Sequence, residues 1–200
     1  QGDTELQIRL KALGWIEGVL HKEGSPYAGM FTVLVRPVKA NSNNNMGGRW
    51  SSWTPGQQQR TFNTSDGSFT VKGLKAGDFT VQASTNEGLI AVQEDVVTVM
   101  DGRASREAPL ELTVGAIVSG SVRDDETGRG VPNTTVWANG KTASGRPAPG
   151  GYAYTDAKGK YEIKGLGGGA YTITAYVGGA SIAEQVDLQP GERRSLDLVK

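Results

Sequence analysis

Residues 64–83 read TSDGSFTVKGLKAGDFTVQA, and residues 155–175 read TDAKGKYEIKGLGGGAYTITA, which is the same pattern 92 positions further along. In both stretches apolar and polar residues alternate, a Gly-Leu pair interrupts the alternation, a glycine follows, and the alternation resumes. This pattern is typical of two half-buried antiparallel strands joined by a tight turn. The repeat predicts two copies of one fold unit, with these matched pairs: Gly67 and Gly159, Phe69 and Tyr161, Val71 and Ile163, Leu74 and Leu166, Gly77 and Gly169, Phe79 and Tyr171, Val81 and Ile173.

Working outward from the repeat, we count about seven short strands in each copy. Seven strands with turns at short spacing indicate an all-β chain of two tandem seven-stranded β-sandwiches of Greek-key type. The first sandwich is predicted at residues 14–114 and the second at residues 115–200. Residues 1–13 are predicted as a leader strand or the end of a preceding repeat, with a helix from Thr4 as the alternative.

The inner faces of the predicted strands supply a hydrophobic core for each copy. Alternate apolar residues of a strand that packs on one side point towards the partner sheet. In the first copy the predicted core residues are Ile16, Val33, Val35, Phe69, Val71, Leu74, Phe79 and Val81. In the second copy they are Val122, Val136, Tyr161, Ile163, Leu166, Tyr171 and Ile173.

The first copy differs from the second by a long insert at residues 39–60, KANSNNNMGGRWSSWTPGQQQR. Its Asn, Gly, Ser and Gln content without a sustained period indicates a surface loop. Trp50 and Trp53 beside Arg49 are the candidate ligand-binding residues, because indole rings stack on sugars while amides and guanidinium groups bind hydroxyls. The alternative is that a tryptophan folds back and caps the sandwich. Tyr152 and Tyr154 of the second copy would extend such a surface.

Composition and charge exclude several classes of protein. The 21 basic and 21 acidic residues balance, so the chain offers no broad basic surface for nucleic acid or an anionic membrane. It contains no cysteine, which excludes disulfides, thiolate metal sites and cysteine nucleophiles. No apolar stretch is long enough to span a membrane as a helix.

Catalytic and metal-binding residues are not expected in this chain. The lone histidine, His21, is predicted to begin an exposed turn, and one histidine cannot supply a zinc peptidase site. A serine triad would have to recruit this same residue, and no serine lies in a G-x-S-x-G setting. Asp124, Asp125 and Glu126 form the densest carboxylate cluster, but they lack calcium-loop spacing and are predicted to form a solvated turn. We therefore expect no catalytic residue, no metal and no cofactor.

The order of turns and strands in the second copy resembles the carboxypeptidase regulatory-like domain. The residues that carry this resemblance are Gly120, the turn 125–128 (DETG), Val131, Pro132, Thr155, Asp156, Gly159, Tyr161, Gly165, Leu166, Gly169, Tyr171 and the turn 190–192 (PGE). The first copy departs from the pattern, with KEG at 22–24 and DGR at 101–103. The resemblance implies a transthyretin-like sandwich, related to the B-type repeats of collagen adhesins and similar in outline to immunoglobulin-like folds.

The resemblance, together with the missing catalytic set, predicts a non-enzymatic module of a secreted, periplasmic or cell-surface bacterial protein. Its role would be that of a spacer, scaffold or interaction surface, and its partners would be neighbouring domains of a longer chain. The alternatives are a carbohydrate- or peptide-binding module, or an accessory domain of a peptidase or hydrolase on the same parent chain. The chain opens on Gln1, which predicts an excised fragment, and we expect a monomer.

Overall fold

The computed structural model describes residues 12–38, 56–93, 95–106 and 109–200, and every regular element in these ranges is a β-strand. The strands form two β-sandwiches in tandem, as the repeat predicts. Within these ranges no helix is long and apolar enough to cross a membrane. Residues 1–11, where the leader strand is predicted, lie outside the described part of the chain.

The described residues of the first sandwich form ten strands, three of which contain only two or three residues. They are β1 (Gly14–Lys22), β2 (Ser25–Pro26), β3 (Gly29–Pro37), β4 (Gln58–Thr64), β5 (Ser68–Leu74), β6 (Gly77–Thr85), β7 (Leu89–Val92), β8 (Val97–Val99), β9 (Ala104–Arg106) and β10 (Leu110–Val114).

The second sandwich contains eight strands and follows directly after Gly115. They are β11 (Ala116–Arg123), β12 (Thr135–Lys141), β13 (Gly151–Tyr154), β14 (Lys160–Leu166), β15 (Gly169–Val177), β16 (Ala180–Leu188), β17 (Arg193–Ser195) and β18 (Leu198–Val199).

The main strand pairings of the two sandwiches correspond. In the first, β1 pairs antiparallel with β5 and parallel with β9 and β10, and the facing layer runs β4-β3-β6-β7. In the second, β11 pairs antiparallel with β14 and parallel with β17 and β18, and the facing layer runs β13-β12-β15-β16. The pairing supports a common topology for the two halves of the chain.

One strand of the first sandwich belongs to both layers. Leu110 and Leu112 of β10 pair with β1, while Thr113 and Val114 pair with β7 in the facing layer. The two layers of the first sandwich are therefore continuous through β10, and this strand runs straight on to Gly115 and the second sandwich.

Each sandwich has its own core, and all the core residues predicted from the alternation are buried. The first core is aromatic at one end, where Phe31 stacks on Phe62 at 5.6 Å and meets Phe69 edge-on at 6.4 Å. In the second core the large rings are tyrosines. The Tyr161 hydroxyl donates to the carbonyl oxygen of Leu196 at 2.7 Å, so this buried ring has a partner for its polar end.

The predicted loop at residues 39–60 ends earlier than expected. Its last three residues, 58–60, belong to β4 and pair with β3, where Gln58 lies opposite Val35 and Arg60 opposite Val33. The sequence did not show this part of the strand, because its Gln and Arg residues are polar and break the apolar alternation. Such residues are tolerated since β4 is an edge strand whose side chains are mostly exposed or half-buried. Residues 39–55 lie outside the described part of the chain.

Candidate functional site

The candidate binding residues Arg49, Trp50 and Trp53 lie outside the described residues. The nearest described residues of this segment are Val38 on one side and Gly56 on the other. The backbone N–H of Val38 donates to the carbonyl oxygen of Asp78 at 2.8 Å. The Arg36 guanidinium donates through Nε to Oε1 of Gln57 at 3.2 Å. Both ends of the segment are thus bound to the β3-β6 side of the first sandwich.

The prediction that His21 begins a turn is wrong, because His21 lies within β1. It pairs with Pro26 of β2 and with Glu111 of β10. The turn comes two residues later, at Glu23 (φ 52°) and Gly24 (φ 74°). Within the described ranges no group of three or more His, Cys, Asp or Glu residues could hold a metal ion.

The carboxylates of residues 124–126 form a hydrogen-bonded turn. Oδ1 of Asp124 accepts hydrogen bonds from the backbone N–H of Thr127 at 2.9 Å and from its hydroxyl at 2.8 Å. These two hydrogen bonds hold the pKa of Asp124 below its usual value. Gly128, at φ 64°, completes the turn. The geometry agrees with the predicted solvated turn.

Asp197 makes a comparable arrangement between the last strands and β11. Its Oδ1 accepts from the hydroxyl of Ser121 at 2.8 Å and from the backbone N–H of Ser121 at 2.7 Å. These hydrogen bonds lower the pKa of Asp197. Burial and, to a lesser extent, the nearby Asp197 carboxylate raise the pKa of the Tyr161 hydroxyl on β14, so it stays protonated and donates to the carbonyl oxygen of Leu196.

We expect Asp197→Asn to weaken the acid dependence of stability. A carboxylate whose folded pKa is lowered stabilises the fold above its ordinary pKa of 3.8, and that stabilisation decreases as the pH falls through the folded value. Thermal unfolding between pH 7 and pH 2 should show a lower melting temperature for the variant at pH 7 and a shallower decline in acid. Asp125→Asn, at an exposed position, is the control. Identical pH profiles for wild type and Asp197→Asn would contradict the assignment.

The junction between the sandwiches is tightly packed around Gly115. The backbone N–H of Gly115 donates to the carbonyl oxygen of Gly88 at 3.1 Å. A Cβ atom built on Gly115 would lie 2.6 Å from Cα of Gly165 and 2.8 Å from the oxygen of Gly88. Real Cβ atoms do not approach other atoms so closely. A glycine is therefore needed where the β6-β7 turn of the first sandwich meets β14 of the second.

A second contact crosses the junction through Gln82. This residue is 5% exposed although it lies on the outer face of β6. Its amide donates through Nε2 to the carbonyl oxygen of Pro147 in the β12-β13 loop at 2.7 Å. Ile90, which pairs with Ser84 on the same face, is only 3% exposed. A groove of about 860 Å³ lies beside Ile90, and Glu111, Thr113, Asp187 and Gln189 are among the residues that line it.

Four exposed aromatic side chains lie on the outer face of the second sandwich. Trp137 of β12 is paired with Tyr152 of β13 and with Thr174 of β15. Tyr152 and Tyr154 are 62% and 67% exposed, and Trp137 and Tyr176 are 37% and 39% exposed. The sequence indicated Tyr152 and Tyr154 alone. Trp137 and Tyr176 were missed because the local sequence of β12 and β15 does not show which strands pair with them.

The second sandwich is similar in sequence to a known family. The sequence model of the carboxypeptidase regulatory-like domain matches residues 117–199. A search of curated protein sequences found no match. Among solved structures, chlorocatechol 1,2-dioxygenase from Pseudomonas putida aligns at 15% identity and a TM-score of 0.33, over 42% of this chain and 58% of that one. The Bacillus anthracis TIE protein aligns at 16% identity and a TM-score of 0.32, over 94% of this chain.

The shaft pilin spaA from Lactobacillus rhamnosus GG aligns at 10% identity and a TM-score of 0.34, over 95% of this chain and 97% of that one. This chain spans less than two thirds of the first two structures, 58% of the dioxygenase and 34% of the TIE protein. The sequence match covers nearly all of the second sandwich, β11 to β18, and it supports a carboxypeptidase regulatory-like domain at residues 117–199.

Proposed function

We propose that this chain is a non-enzymatic pair of carboxypeptidase regulatory-like modules that holds neighbouring parts of a longer protein at a fixed spacing. The observation that carries the proposal is the junction, where Gly115 is enclosed by Gly88 and Gly165 and where Gln82 binds Pro147. A spacer needs a connection that resists bending. A one-residue link with packed and hydrogen-bonded surfaces on either side provides this, whereas a flexible linker would not.

The matching strand order supports placing both sandwiches in one family. The β1-β5 pairing corresponds to β11-β14, and the parallel strands β9 and β10 correspond to β17 and β18. The 92-residue repeat in the sequence agrees with this correspondence. We propose that the first sandwich is a divergent copy that carries the long insert.

A surface or secreted bacterial protein is the setting we propose for this spacer. Modules of this family serve as repeated building blocks, and a cysteine-free chain with balanced charge fits that use without requiring an oxidising compartment. An accessory role beside a peptidase or hydrolase on the same parent chain is compatible with the same rigid geometry. The single histidine and the lack of cysteine favour a role without chemistry of its own.

The experiment that tests the spacer is a measurement of how independently the two sandwiches rotate. We expect ¹⁵N relaxation to give one common rotational diffusion tensor for both sandwiches in the wild-type protein. In the Gly115→Ala/Gln82→Ala variant the added Cβ and the lost hydrogen bond should separate the surfaces. The two halves should then tumble with different correlation times, and small-angle scattering should show a broader distribution of dimensions.

Gln59→Ala is the matched control, because Gln59 lies on the same outer sheet face but is exposed. It should leave the common tumbling unchanged. Independent rotation of the sandwiches in the wild-type protein would refute the spacer proposal. A variant that tumbles as rigidly as the wild type would show that Gly115 and Gln82 do not carry the coupling.

A ligand-binding role of the loop with Arg49, Trp50 and Trp53 stays a prediction. Its support is the residue composition, since aromatic rings among amide and guanidinium groups suit a glycan or a peptide. A Trp50→Ala/Trp53→Ala variant that binds polysaccharides as well as the wild type would remove this support.

A further inference from the structure

The aromatic face of the second sandwich is the strongest unassigned surface among the described residues. We define it as Trp137, Tyr152, Tyr154 and Tyr176 on the outer side of β13-β12-β15. Two edge-to-face pairs order its rings. Trp137 and Tyr176 lie 5.7 Å apart with ring planes at 78°, and Tyr152 and Tyr154 lie 5.9 Å apart at 86°. The pairs restrain the side chains before any ligand arrives, which lowers the entropy cost of binding.

The fold itself does not require aromatic residues at these positions. The first sandwich provides the comparison, because its strands β3, β4 and β6 have the same pairing. There Leu34 is paired with Gln59 and Gln82, just as Trp137 is paired with Tyr152 and Thr174. Thr61 is equivalent to Tyr154, because Thr61 pairs with Thr32 as Tyr154 pairs with Thr135. Ser84 is equivalent to Tyr176 by the 92-residue shift. Four non-aromatic residues thus occupy the places that the aromatic face fills in the second sandwich.

The surroundings of the aromatic face are polar but uncharged. The other side chains that alternate outward on β12, β15 and the adjoining strand β16 are Thr135, Asn139, Thr172, Thr174, Ser181, Ala183 and Gln185. The charged residues Lys141 and Asp187 come only at one end, where both flank Ala170. None of the outward positions holds leucine, isoleucine or valine. Protein interfaces are also enriched in tyrosine and tryptophan, but together with methionine and arginine around an apolar centre, and no methionine or arginine occupies an outward position of these strands.

We propose that the aromatic face binds a neutral polysaccharide. The C–H face of a sugar ring is apolar and packs on a tyrosine or tryptophan ring, while the sugar hydroxyls bind side-chain hydroxyls and amides. The face supplies both partners over the width of three strands. Because its centre has no charge, it has no group that would select a uronic acid or a sulfated sugar. The exposure of Tyr152 and Tyr154 leaves both rings accessible to an extended chain.

The test is native affinity electrophoresis of the whole chain in gels that contain soluble polysaccharides. The neutral probes are xylan, glucomannan, hydroxyethyl cellulose and soluble starch, and polygalacturonate is the anionic probe. We expect at least one neutral probe to retard the protein. Removing one central ring, by Tyr152→Ala or Trp137→Ala, should weaken binding about tenfold, as loss of an aromatic anchor does. Tyr152→Phe should bind nearly as the wild type, because the ring is retained.

Controls separate this site from the other candidates. Gln59→Ala changes the equivalent position of the first sandwich and should bind as the wild type. Because Tyr152 is exposed, Tyr152→Ala should have the same melting temperature as the wild type. A change in its retardation would then report on binding alone. Binding that is lost in Trp50→Ala/Trp53→Ala but retained in Tyr152→Ala would move the site to the loop and overturn this proposal. Failure of all the neutral probes, or retardation by polygalacturonate alone, would also overturn it.

A self-association surface is the remaining outcome, and sedimentation distinguishes it. If the face joined two copies of the chain, the wild type would dimerise with concentration and Tyr152→Ala would not. That result would show that the aromatic face binds a second copy of the chain and not a polysaccharide. We expect instead that both proteins sediment as monomers over the same concentration range.

Discussion

Tyr171→Ala is expected to lower the free energy of unfolding by about 3–5 kcal/mol, as truncation of a buried aromatic residue does. Tyr171 is 2% exposed at the centre of the second core. Its ring lies against Gly140, where a built Cβ atom would come within 2.5 Å of Cδ1 of the ring. Gly140 has no side chain that could move into the space left by the Tyr171 ring. The cavity in the Tyr171→Ala variant should therefore persist.

The hydroxyl of Tyr171 adds a polar contribution to this effect. It accepts a hydrogen bond from the backbone N–H of Gly167 at 2.8 Å and donates one to the carbonyl oxygen of Pro149 at 2.8 Å. Burial raises the pKa of Tyr171 to about 12, so the hydroxyl keeps its proton and can donate at neutral pH. Tyr171→Phe keeps the ring and leaves both backbone groups without this partner, which should cost about 1–3 kcal/mol.

Urea unfolding of the two variants measures both parts of the prediction. Phe79→Ala is the matched change in the first sandwich, where the equivalent ring is 4% exposed and has no hydroxyl. It should cost about as much as other buried aromatic truncations, roughly 3–5 kcal/mol. A Tyr171→Ala protein that unfolds at the wild-type urea concentration would show that β15 has been assigned the wrong face.

Gly169→Ala is expected to destabilise the protein more than Gly77→Ala, although the repeat pairs the two glycines. Both have backbone angles that side chains rarely adopt, with φ at 140° and 150°. That strain costs of the order of 1–3 kcal/mol at either site. At Gly169 a Cβ atom would also overlap the carbonyl oxygen of Lys141, whereas a Cβ atom built on Gly77 would have no atom of the described residues, its chain neighbours apart, within 4 Å. Overpacking should add about 1–3 kcal/mol at Gly169 alone.

Thermal and urea unfolding of the two alanine variants measure this difference directly. The comparison is internally controlled, since the same substitution is made at the same place in the repeat and at similar φ. Equal losses of stability at the two positions would mean that the approach of Lys141 to Gly169 has no energetic consequence. A larger loss at Gly77 would contradict the packing described for both turns.

The matched positions explain why sequence reasoning works for one aspect and fails for another. Alternation along a strand is a local property, so it predicted that Phe79 and Tyr171 are buried, and both are. Whether a glycine has a neighbour depends on a distant segment. Lys141 approaches Gly169 because β12 pairs with β15, and no residue in the described part of the chain takes that place beside Gly77. The sequence shows the two glycines as equivalent, and only the tertiary structure separates them.

The candidate sites show the same division. The sequence pointed to Tyr152 and Tyr154 because they lie in the region of the second copy that matches the insert with Trp50 and Trp53. Trp137 and Tyr176 join them only through the pairing of β12 with β13 and β15, over separations of 15 residues and more. The predictions were wrong for two strand ends: His21 near the end of β1 was assigned to a turn, and the start of β4 was assigned to a loop. There, polar side chains on exposed edges resemble those of turns.

By itself the sequence determined the all-β class, the two-fold repeat, the strands of the central hairpins and the core residues. These follow from period-two alternation and turn glycines, which act within a few residues. The tertiary structure alone decided that β10 belongs to both layers, that Gln82 meets Pro147 and Gly115 lies between Gly88 and Gly165 at the junction, and that four aromatic rings share one face. These features depend on which remote strands become neighbours, and that choice is made by the burial of the whole core.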